Sequence, residues 1–384
     1  MTDEIRPFRV DVPEAVLTDL RERLARTRWP DQIPGSGWGY GTEITALQRL
    51  CEHWRTTFDW RAAQDRLNSF PQFTTTIDGQ NVHFIHVRSP HEGALPLLIT
   101  HGWPGSVWEF MRVIEPLTDP TKHGGRAEDA FHVIAPSLPG YGFSGPTTEP
   151  GWDPYRVAET WAKLMARLGY ERYGAQGGDW GAIVTANLAT LDPEHLTGIH
   201  LNMVVARPPD PANPTEGVQP DEVEGMQAIG SFQEHETGYQ QIQGTKPQTL
   251  SYALNDSPAG LAGWILEKFR TWSDCDGDVF AVHSMDDLLA NITIYWVTGT
   301  IGSSCRIYCE NRRAQRFGPF TTKVTVPTGA AIFPKELYRP PRAWADHWYN
   351  IVHWQRYDKG GHFAAMERPA DLVADVRTFF AGVR

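Results

Sequence analysis

The sequence predicts an α/β protein in which a mostly parallel β-sheet carries helices on both faces. Two observations predict this fold class. Short apolar runs of strand length alternate with helical segments between residues 95 and 204, and the same texture returns between residues 321 and 384. Strands that alternate with helices pair in parallel, because each helix carries the chain back across the sheet. The helical segment 205–320 interrupts this alternation, so we predict a lid inserted into the sheet domain.

Residues 1–94 are predicted to form an amino-terminal extension. Apolar residues recur at helical spacing after Pro13, namely Val16, Leu17, Leu20 and Leu24. A second amphipathic stretch covers residues 46–67, so helices and connecting loops are expected up to about residue 72. The segment 74–87 has strand texture on both sides of Asp78 and Gly79, which predicts a β-hairpin that joins the extension to the sheet.

The first half of the core, residues 95–204, contains three strand-like runs. The runs "LPLLIT" (95–100) and "FHVIAP" (131–136) are each followed by a loop rich in Gly and Pro. A helix is predicted over about 154–168, and "RYGAQGGDWGAIVTANLA" (172–189) indicates a strand, a tight turn and a helix. Loops after parallel strands lie at the edge of the sheet where ligands bind.

The lid and the second half of the core follow. A Pro-rich connector (206–222) leads into the lid, where residues 260–272 and 286–301 have helical patterns. The strand texture then returns at 323–333 and 351–357, and a helix is predicted from Pro369. Residues 321–384 therefore complete the sheet in our assignment.

Composition excludes several classes of partner. The 384 residues carry a formal net charge of −11 without a Lys/Arg block, which argues against a nucleic acid or an anionic membrane and favours a small neutral substrate. Four cysteines, of which Cys305 and Cys309 are spaced as on a helix, complete no zinc site, so we expect no metal. With no signal-like or membrane-spanning run, a soluble cytoplasmic protein is expected.

Asp179 lies in the middle of Gly177-Gly178-Asp179-Trp180-Gly181, between the predicted strand and helix. A nucleophile flanked by small residues in such a turn is the nucleophile elbow of α/β-hydrolases. Taken alone, the pattern is weak, because an Asp in such a loop more often caps a helix or forms a turn.

Three further features stand in the chain order that this fold requires. The loop "HGWPGSVWEF" (101–110) follows the first core strand, where a donor to an oxyanion is expected. Glu336 and then His362 follow later predicted strands, which gives the order nucleophile, acid, histidine. Each residue has a structural alternative, a core histidine or a carboxylate near a helix start, but together they favour a catalytic site.

The chain resembles the epoxide hydrolases of the α/β-hydrolase superfamily, specifically the microsomal-type branch with an amino-terminal helical extension. The resemblance covers nearly the whole chain. Its motifs are "HGWPGSVWEF" (101–110), "GYGFSG" (140–145), "QGGDWG" (176–181), "HLNM" (200–203), "TGYQ" within the longer match 237–269, "YWVTGTI" (295–301), "RIYCEN" (306–311), "FPKE" (333–336) and "GGHFAAME" (360–367). The membrane-anchoring helix of the animal members is not found in this sequence, so no membrane partner is expected.

The resemblance implies five catalytic residues: Asp179 as nucleophile, His362 as base, Glu336 as the acid that orients it, and Tyr239 and Tyr308 as lid tyrosines that bind the epoxide. The chemistry explains why an aspartate holds the elbow. A serine that attacked a saturated carbon would leave an ether, whereas Asp179 leaves an ester whose carbonyl water can attack. No cofactor is needed.

Backbone N–H groups of Trp103 and Trp180 are the expected oxyanion donors. The phenols of Tyr239 and Tyr308 would protonate the departing alkoxide. Trp103, Trp108 and Phe363 are expected to line the pocket, which suggests an apolar, aryl-bearing epoxide.

Two other functions use the same fold. A haloalkane or haloacid dehalogenase shares the Asp-His-acid trio but needs halide donors rather than lid hydroxyls. A non-catalytic ligand-binding member of the fold usually lacks one of the trio. Detoxification and natural-product biosynthesis both fit an epoxide hydrolase, and so does a homodimer.

Overall fold

One β-sheet organises the chain in the computed structural model, which describes residues 4–316 and 322–384. Its strands follow the order β1-β2-β3-β5-β4-β6-β7-β8-β9. The strands are β1 (Arg6–Phe8), β2 (Gln72–Ile77), β3 (Gln80–Val87), β4 (Leu95–Thr100), β5 (Phe131–Pro136), β6 (Tyr173–Gly177), β7 (Leu196–Leu201), β8 (Pro327–Ile332) and β9 (Asn350–Arg356).

The sheet is antiparallel at one end and parallel through the rest. β1, β2, β3 and β5 pair antiparallel, whereas β5, β4, β6, β7, β8 and β9 pair parallel. Parallel pairing brings the carboxyl ends of β4, β6, β7, β8 and β9 to the same edge, where ligands of such sheets bind. The predicted α/β-hydrolase fold class is confirmed.

The predicted hairpin forms between β2 and β3. Asp78 and Gly79 connect the strands with φ angles of 50° and 80°. A two-residue connection with two positive φ angles matches the right-handed twist of the strands, and Asp-Gly is well suited to it.

One expectation for the extension is wrong. Residues 1 to about 72 were expected to contain only helices and loops, but Arg6–Phe8 forms β1 and pairs with β2. Three residues are too few to show the alternation that reveals a strand, and only the neighbouring β2 creates this one.

Helices fill the connections. The extension contains α1 (Glu14–Ala25), α2 (Ile44–Thr56) and α3 (Trp60–Asn68), and the core contains α4 (Ile114–Thr118), α5 (Pro154–Arg167) and α6 (Asp179–Leu191). The lid contains α7 (Val223–His235), α8 (Gly238–Thr245), α9 (Pro247–Asp256), α10 (Pro258–Trp272), α11 (Val279–Val282), α12 (Met285–Thr298), α13 (Ile301–Ser304) and α14 (Arg306–Ala314). The last helices are α15 (Arg342–Trp348), α16 (Ala364–Glu367) and α17 (Pro369–Ala381).

The predicted boundary of the lid at residues 320 and 321 lies outside the described residues. In the described ranges, no helix is both long and apolar enough to cross a bilayer.

The extension packs against two lid helices. The indole N–H of Trp54 in α2 donates to the Thr293 hydroxyl of α12 at 2.9 Å, and this bond is buried. The Thr42 hydroxyl, just before α2, donates to the Gly263 carbonyl of α10 at 2.7 Å. The extension therefore supports α10 and α12 of the lid.

Candidate active site

Asp179 stands at the end of β6 as the first residue of α6. Its φ angle is 50°, which is unusual for a residue with a side chain. Such strain persists only where the surroundings hold it, and a sharp strand-to-helix turn projects the side chain above the sheet.

The glycines around Asp179 are required by close backbone approach. A Cβ atom on Gly181 would lie 1.9 Å from the Thr100 carbonyl oxygen, and one on Gly102 would lie 2.1 Å from Asp179 Oδ1. The absence of both side chains lets the turn press against the loop after β4. This approach brings backbone donors of that loop within reach of the carboxylate.

His362 joins two carboxylates. Its Nε2 is 3.3 Å from Asp179 Oδ2, and its Nδ1 is 2.7 Å from Glu336 Oε1. Glu336 and His362 follow β8 and β9 and are 3% and 5% exposed. Glu336 Oε1 also accepts the Leu337 N–H at 2.6 Å, which fixes the carboxylate. The three residues predicted from chain order therefore meet in one hydrogen-bonded row.

The charge state of His362 follows from these neighbours. Burial by itself would lower the pKa of the imidazole, but Glu336 and Asp179 outweigh it and raise the pKa well above its ordinary value. With both carboxylates ionised, His362 holds a proton between them. Neutralising Asp179 would remove one of the two charges that retain this proton.

The loop after β4 supplies one of the two expected backbone donors. The Trp103 N–H donates to Asp179 Oδ1 at 2.7 Å. The Trp180 N–H makes no hydrogen bond to this carboxylate in the ranges that the structure describes. His101 fixes this loop, because its Nε2 accepts the Leu138 N–H at 3.2 Å. Burial lowers the pKa of His101 to about 4, so the imidazole is neutral.

The lid brings its two predicted tyrosines to the elbow. Tyr239 comes from α8 and Tyr308 from α14, and their ring centroids are 5.7 Å apart. Trp103 stacks on Tyr239 at 5.3 Å, and Trp180 meets Tyr308 edge to face at 4.7 Å. The Tyr308 hydroxyl is buried and has no hydrogen-bond partner within the described residues. Burial raises the pKa of both phenols, so both carry their protons.

Two cavities meet at Asp179. The larger, of about 540 Å³, contains both lid tyrosines and has apolar walls from Trp180, Ile183, Met203, Val205, Phe232 and Leu337. The smaller, of about 20 Å³, is lined by Asp179, His362, Trp103 and Phe363 among others. About 10–15 Å³ is enough for one water molecule if the walls are polar. One side of Asp179 thus faces a substrate-sized space and the other a water-sized one.

Trp108 lies apart from the other predicted pocket residues. It lines neither cavity at Asp179, and its indole N–H donates to Asp287 Oδ1 at 3.2 Å. Trp103 and Phe363 line the smaller, water-sized cavity, whereas the larger one is lined by Trp180 and by none of the three residues expected to line the pocket. The sequence predicted Trp108 to lie near the elbow only because Trp108 belongs to the loop motif 101–110.

Sequence reasoning missed Glu109, which lines the smaller cavity. Burial raises the pKa of Glu109 to about 8, against the opposing effect of His362. The signal available in the sequence was the position of Glu109 within the loop motif 101–110.

Two residues of α12 were also missed. Asn291 accepts from the Ser106 hydroxyl at 2.7 Å and donates to the Pro104 carbonyl at 2.8 Å. The Tyr295 hydroxyl donates to the Gly105 carbonyl at 2.6 Å. These bonds hold the loop that carries the Trp103 N–H. The signal for Asn291 was a lone Asn in α12 (Met285–Thr298), most of whose other residues are apolar.

Comparison with known families supports the expected family along most of the chain. Residues 5–110 match the family described as "Epoxide hydrolase N terminus", and residues 96–272 match the "alpha/beta hydrolase fold" family. The chain is 40% identical to Epoxide hydrolase 1 of Sus scrofa over 402 residues, which cover 98% of this chain and 88% of that one. A relative from Stigmatella aurantiaca, also named as an epoxide hydrolase, is 49% identical over 99% of this chain and 86% of its own length.

Solved structures agree as well. The juvenile hormone epoxide hydrolase of the silkworm Bombyx mori has a TM-score of 0.92 and 34% identity, and the match covers 100% of this chain and 95% of that one. An epoxide hydrolase of Aspergillus niger has a TM-score of 0.89 and 32% identity over 99% and 97% of the two chains.

Proposed function

We propose that this chain, which belongs to the epoxide hydrolase family, converts its epoxide to a vicinal diol through a covalent ester on Asp179. The enzyme adds water to an epoxide, as its relatives' names state of them. One observation carries the covalent route: Asp179 lines both the cavity with the two phenols and the water-sized cavity beside His362. The same carboxylate can therefore meet the epoxide first and water second.

The first step opens the ring. A carboxylate oxygen of Asp179 attacks a ring carbon, the carbon–oxygen bond breaks, and its electron pair moves to the ring oxygen. A strongly basic alkoxide would not leave unaided at neutral pH. Tyr239 and Tyr308 bind this oxygen, and one of them transfers its proton to it. The unpaired Tyr308 hydroxyl supports this role, because a buried donor without a partner gains a full hydrogen bond from the ligand.

Ester formation then changes the charge around His362. The carboxylate of Asp179 becomes neutral, so one of the two charges that raise the pKa of His362 is lost. The imidazolium releases its proton, and this proton balances the one that the phenol gave up. Alkylation itself therefore converts His362 from an acid into the base that the second step needs.

The second step hydrolyses the ester. Water in the smaller cavity attacks the side-chain carbonyl carbon of Asp179 while His362 takes a proton from it. The Trp103 N–H, 2.7 Å from Oδ1, stabilises the oxyanion, and a donor of this kind is typically worth roughly 3–4 kcal/mol. Collapse expels the diol oxygen, which receives the proton from His362. Asp179 then returns its own proton to His362, so the atoms balance without a metal or organic cofactor.

The walls of the larger cavity support an apolar substrate, including aryl epoxides. Its volume of about 540 Å³ lies within the range of drug-sized ligand pockets, and Trp180 and Phe232 offer aromatic surfaces. Two biological roles fit this chemistry, detoxification and natural-product biosynthesis. Turnover across a panel of aryl and alkyl epoxides separates them, because a detoxifying enzyme accepts many and a biosynthetic one accepts few.

The test is to trap the ester. We mix a His362→Gln variant with excess styrene oxide, quench in acid, and measure intact mass with peptide mapping. The expected result is a gain equal to the whole epoxide on the peptide that contains Asp179. His347→Gln, at an exposed histidine, is the matched control and should turn over without accumulating an adduct.

Further outcomes separate the other functions. Asp179→Ala in the His362→Gln background should abolish the adduct. An adduct from a chloroalkane but not from the epoxide would assign the covalent chemistry to dehalogenation. No adduct from either would contradict the ester route.

A further inference from the structure

Lys268 is a buried cation in the lid, outside the residues assigned above. It lies on α10 and is 5% exposed. Its ammonium group forms an ion pair with the neighbouring Glu267. Burying an ammonium group is costly unless it gains strong interactions in exchange. A single ion pair to an adjacent side chain does not explain why this lysine points inward.

The ammonium group of Lys268 packs against the rings of the active site. Its Nζ lies 4.7 Å from the centroid of the Tyr239 ring and 5.8 Å from that of Trp272. Trp272 in turn contacts the His362 ring at 5.1 Å, and its carbonyl accepts the backbone N–H of His362 at 2.9 Å. A cation within about 6 Å of an aromatic ring is attracted to the electron density of its face.

We propose that Lys268 is a positioning residue for ring opening, acting through Tyr239, whose phenol it makes a stronger acid toward the epoxide oxygen. This inference rests on the proposed ester mechanism. Proton transfer to the departing oxygen leaves negative charge on the phenol. The attraction between Lys268 and the ring therefore grows as the reaction proceeds. An interaction that is stronger in the transition state than before it accelerates the step.

Other groups oppose or assist this effect. Burial and the carboxylates of Asp179 and Glu267 raise the pKa of Tyr239, while the hydrogen bond that the Gln240 amide donates to its hydroxyl at 3.0 Å lowers it. Glu267 is held by Lys268 and also accepts from the Thr271 hydroxyl at 3.0 Å. Within the described residues, Lys268 is the cation recorded over the Tyr239 ring. In this proposal it supplies the positive charge that opposes the effect of burial on the phenol.

The test measures ring opening apart from hydrolysis. In the His362→Gln background, where the ester accumulates, we compare rates of ester formation with and without Lys268→Met. The expected result is about 10- to 100-fold slower formation, as for loss of a close charge in a water-poor site. Lys268→Arg should restore most of the rate, because a guanidinium also packs on aromatic rings. Lys246→Met, at an exposed lid lysine, is the matched control and should not change the rate.

A second readout excludes a merely structural role. The loss in the rate of ester formation in Lys268→Met should be larger for 1,2-epoxypropane than for its 3,3,3-trifluoro analogue. The alkoxide of the trifluoro analogue is less basic and needs less acid assistance. Hydrolysis of preformed ester with His362 intact should keep its rate. Unchanged ester formation, or equal losses of rate with both epoxides and in hydrolysis, would overturn this inference but not the proposed function. No ester in His362→Gln itself would overturn the proposed function and the inference with it.

Discussion

Replacing Glu336 by Gln removes the negative charge from the acid while retaining its shape. Glu336 Oε1 is 2.7 Å from His362 Nδ1, and the side chain is 3% exposed. A Gln amide oxygen can still accept the Leu337 N–H and the His362 N–H at this position. The substitution therefore tests the charge rather than the packing.

The expected effect is confined to ester hydrolysis. His362 gains a proton from water in that step, and the bond to Glu336 becomes a bond between two charged groups. Hydrogen bonds to charged groups contribute roughly 1.5–3 kcal/mol, so hydrolysis should slow by about 10- to 150-fold. Ring opening should change little, because His362 takes up no proton in it.

Single-turnover experiments with styrene oxide measure both rates by following the mass of the ester in acid-quenched samples. Ester should accumulate in Glu336→Gln and decay slowly. Asp358→Asn, at an exposed carboxylate ahead of His362, is the matched control and should decay at the rate of the unmodified enzyme. Hydrolysis at an unchanged rate, or equal slowing of both steps, would refute the reasoning.

Tyr239→Phe and Tyr308→Phe should each slow ester formation by about 10- to 100-fold without changing its hydrolysis, while Tyr252→Phe, at a phenol that is 72% exposed, should change neither. Rapid-quench rates check this, and slower hydrolysis alone would contradict it. Asn291→Ala should lower the free energy of unfolding by about 1–3 kcal/mol, because the buried Pro104 carbonyl loses its donor and the Ser106 hydroxyl its acceptor, and should also slow turnover. Urea denaturation with steady-state kinetics tests this, and a stable variant with full activity would argue against the loop role. Raising the pH should speed ester hydrolysis, because the neutral form of His362 accepts the proton and the Glu336 charge, which remains in the ester, raises the pKa of the imidazole. Rates after a pH jump that fall with rising pH would exclude His362 as the base.

Much of the site was accessible from the sequence because its residues occupy fixed places in the chain. Asp179 stands in a Gly-rich turn between a strand and a helix, and Glu336 and His362 lie in the loops that follow later strands. Parallel strands end at one edge, so order along the chain predicts proximity in space. The lid tyrosines followed from resemblance, since a Tyr in a helical segment carries no local signal of catalysis.

Contacts between distant segments were not accessible in this way. β1 exists because β2 offers an unpaired edge to Arg6–Phe8, and no three-residue pattern reveals that. Trp108 lies in the same loop motif as Trp103, yet its indole N–H donates to Asp287. The two hydrogen bonds between Asn291 and the loop span 185 and 187 residues, and no sequence spacing encodes them.

The sequence by itself determined the fold class and the order along the chain of Asp179, Glu336 and His362, the residues proposed as nucleophile, acid and base. These depend on local turns, on strand order and on the chemistry of single side chains. Only the tertiary structure decided that Asp179 faces two cavities, that His362 is held between two carboxylates, and that Lys268 packs on Tyr239. The reason is that cavity shape, burial and electrostatic coupling depend on distances between atoms that the chain brings together only when it folds.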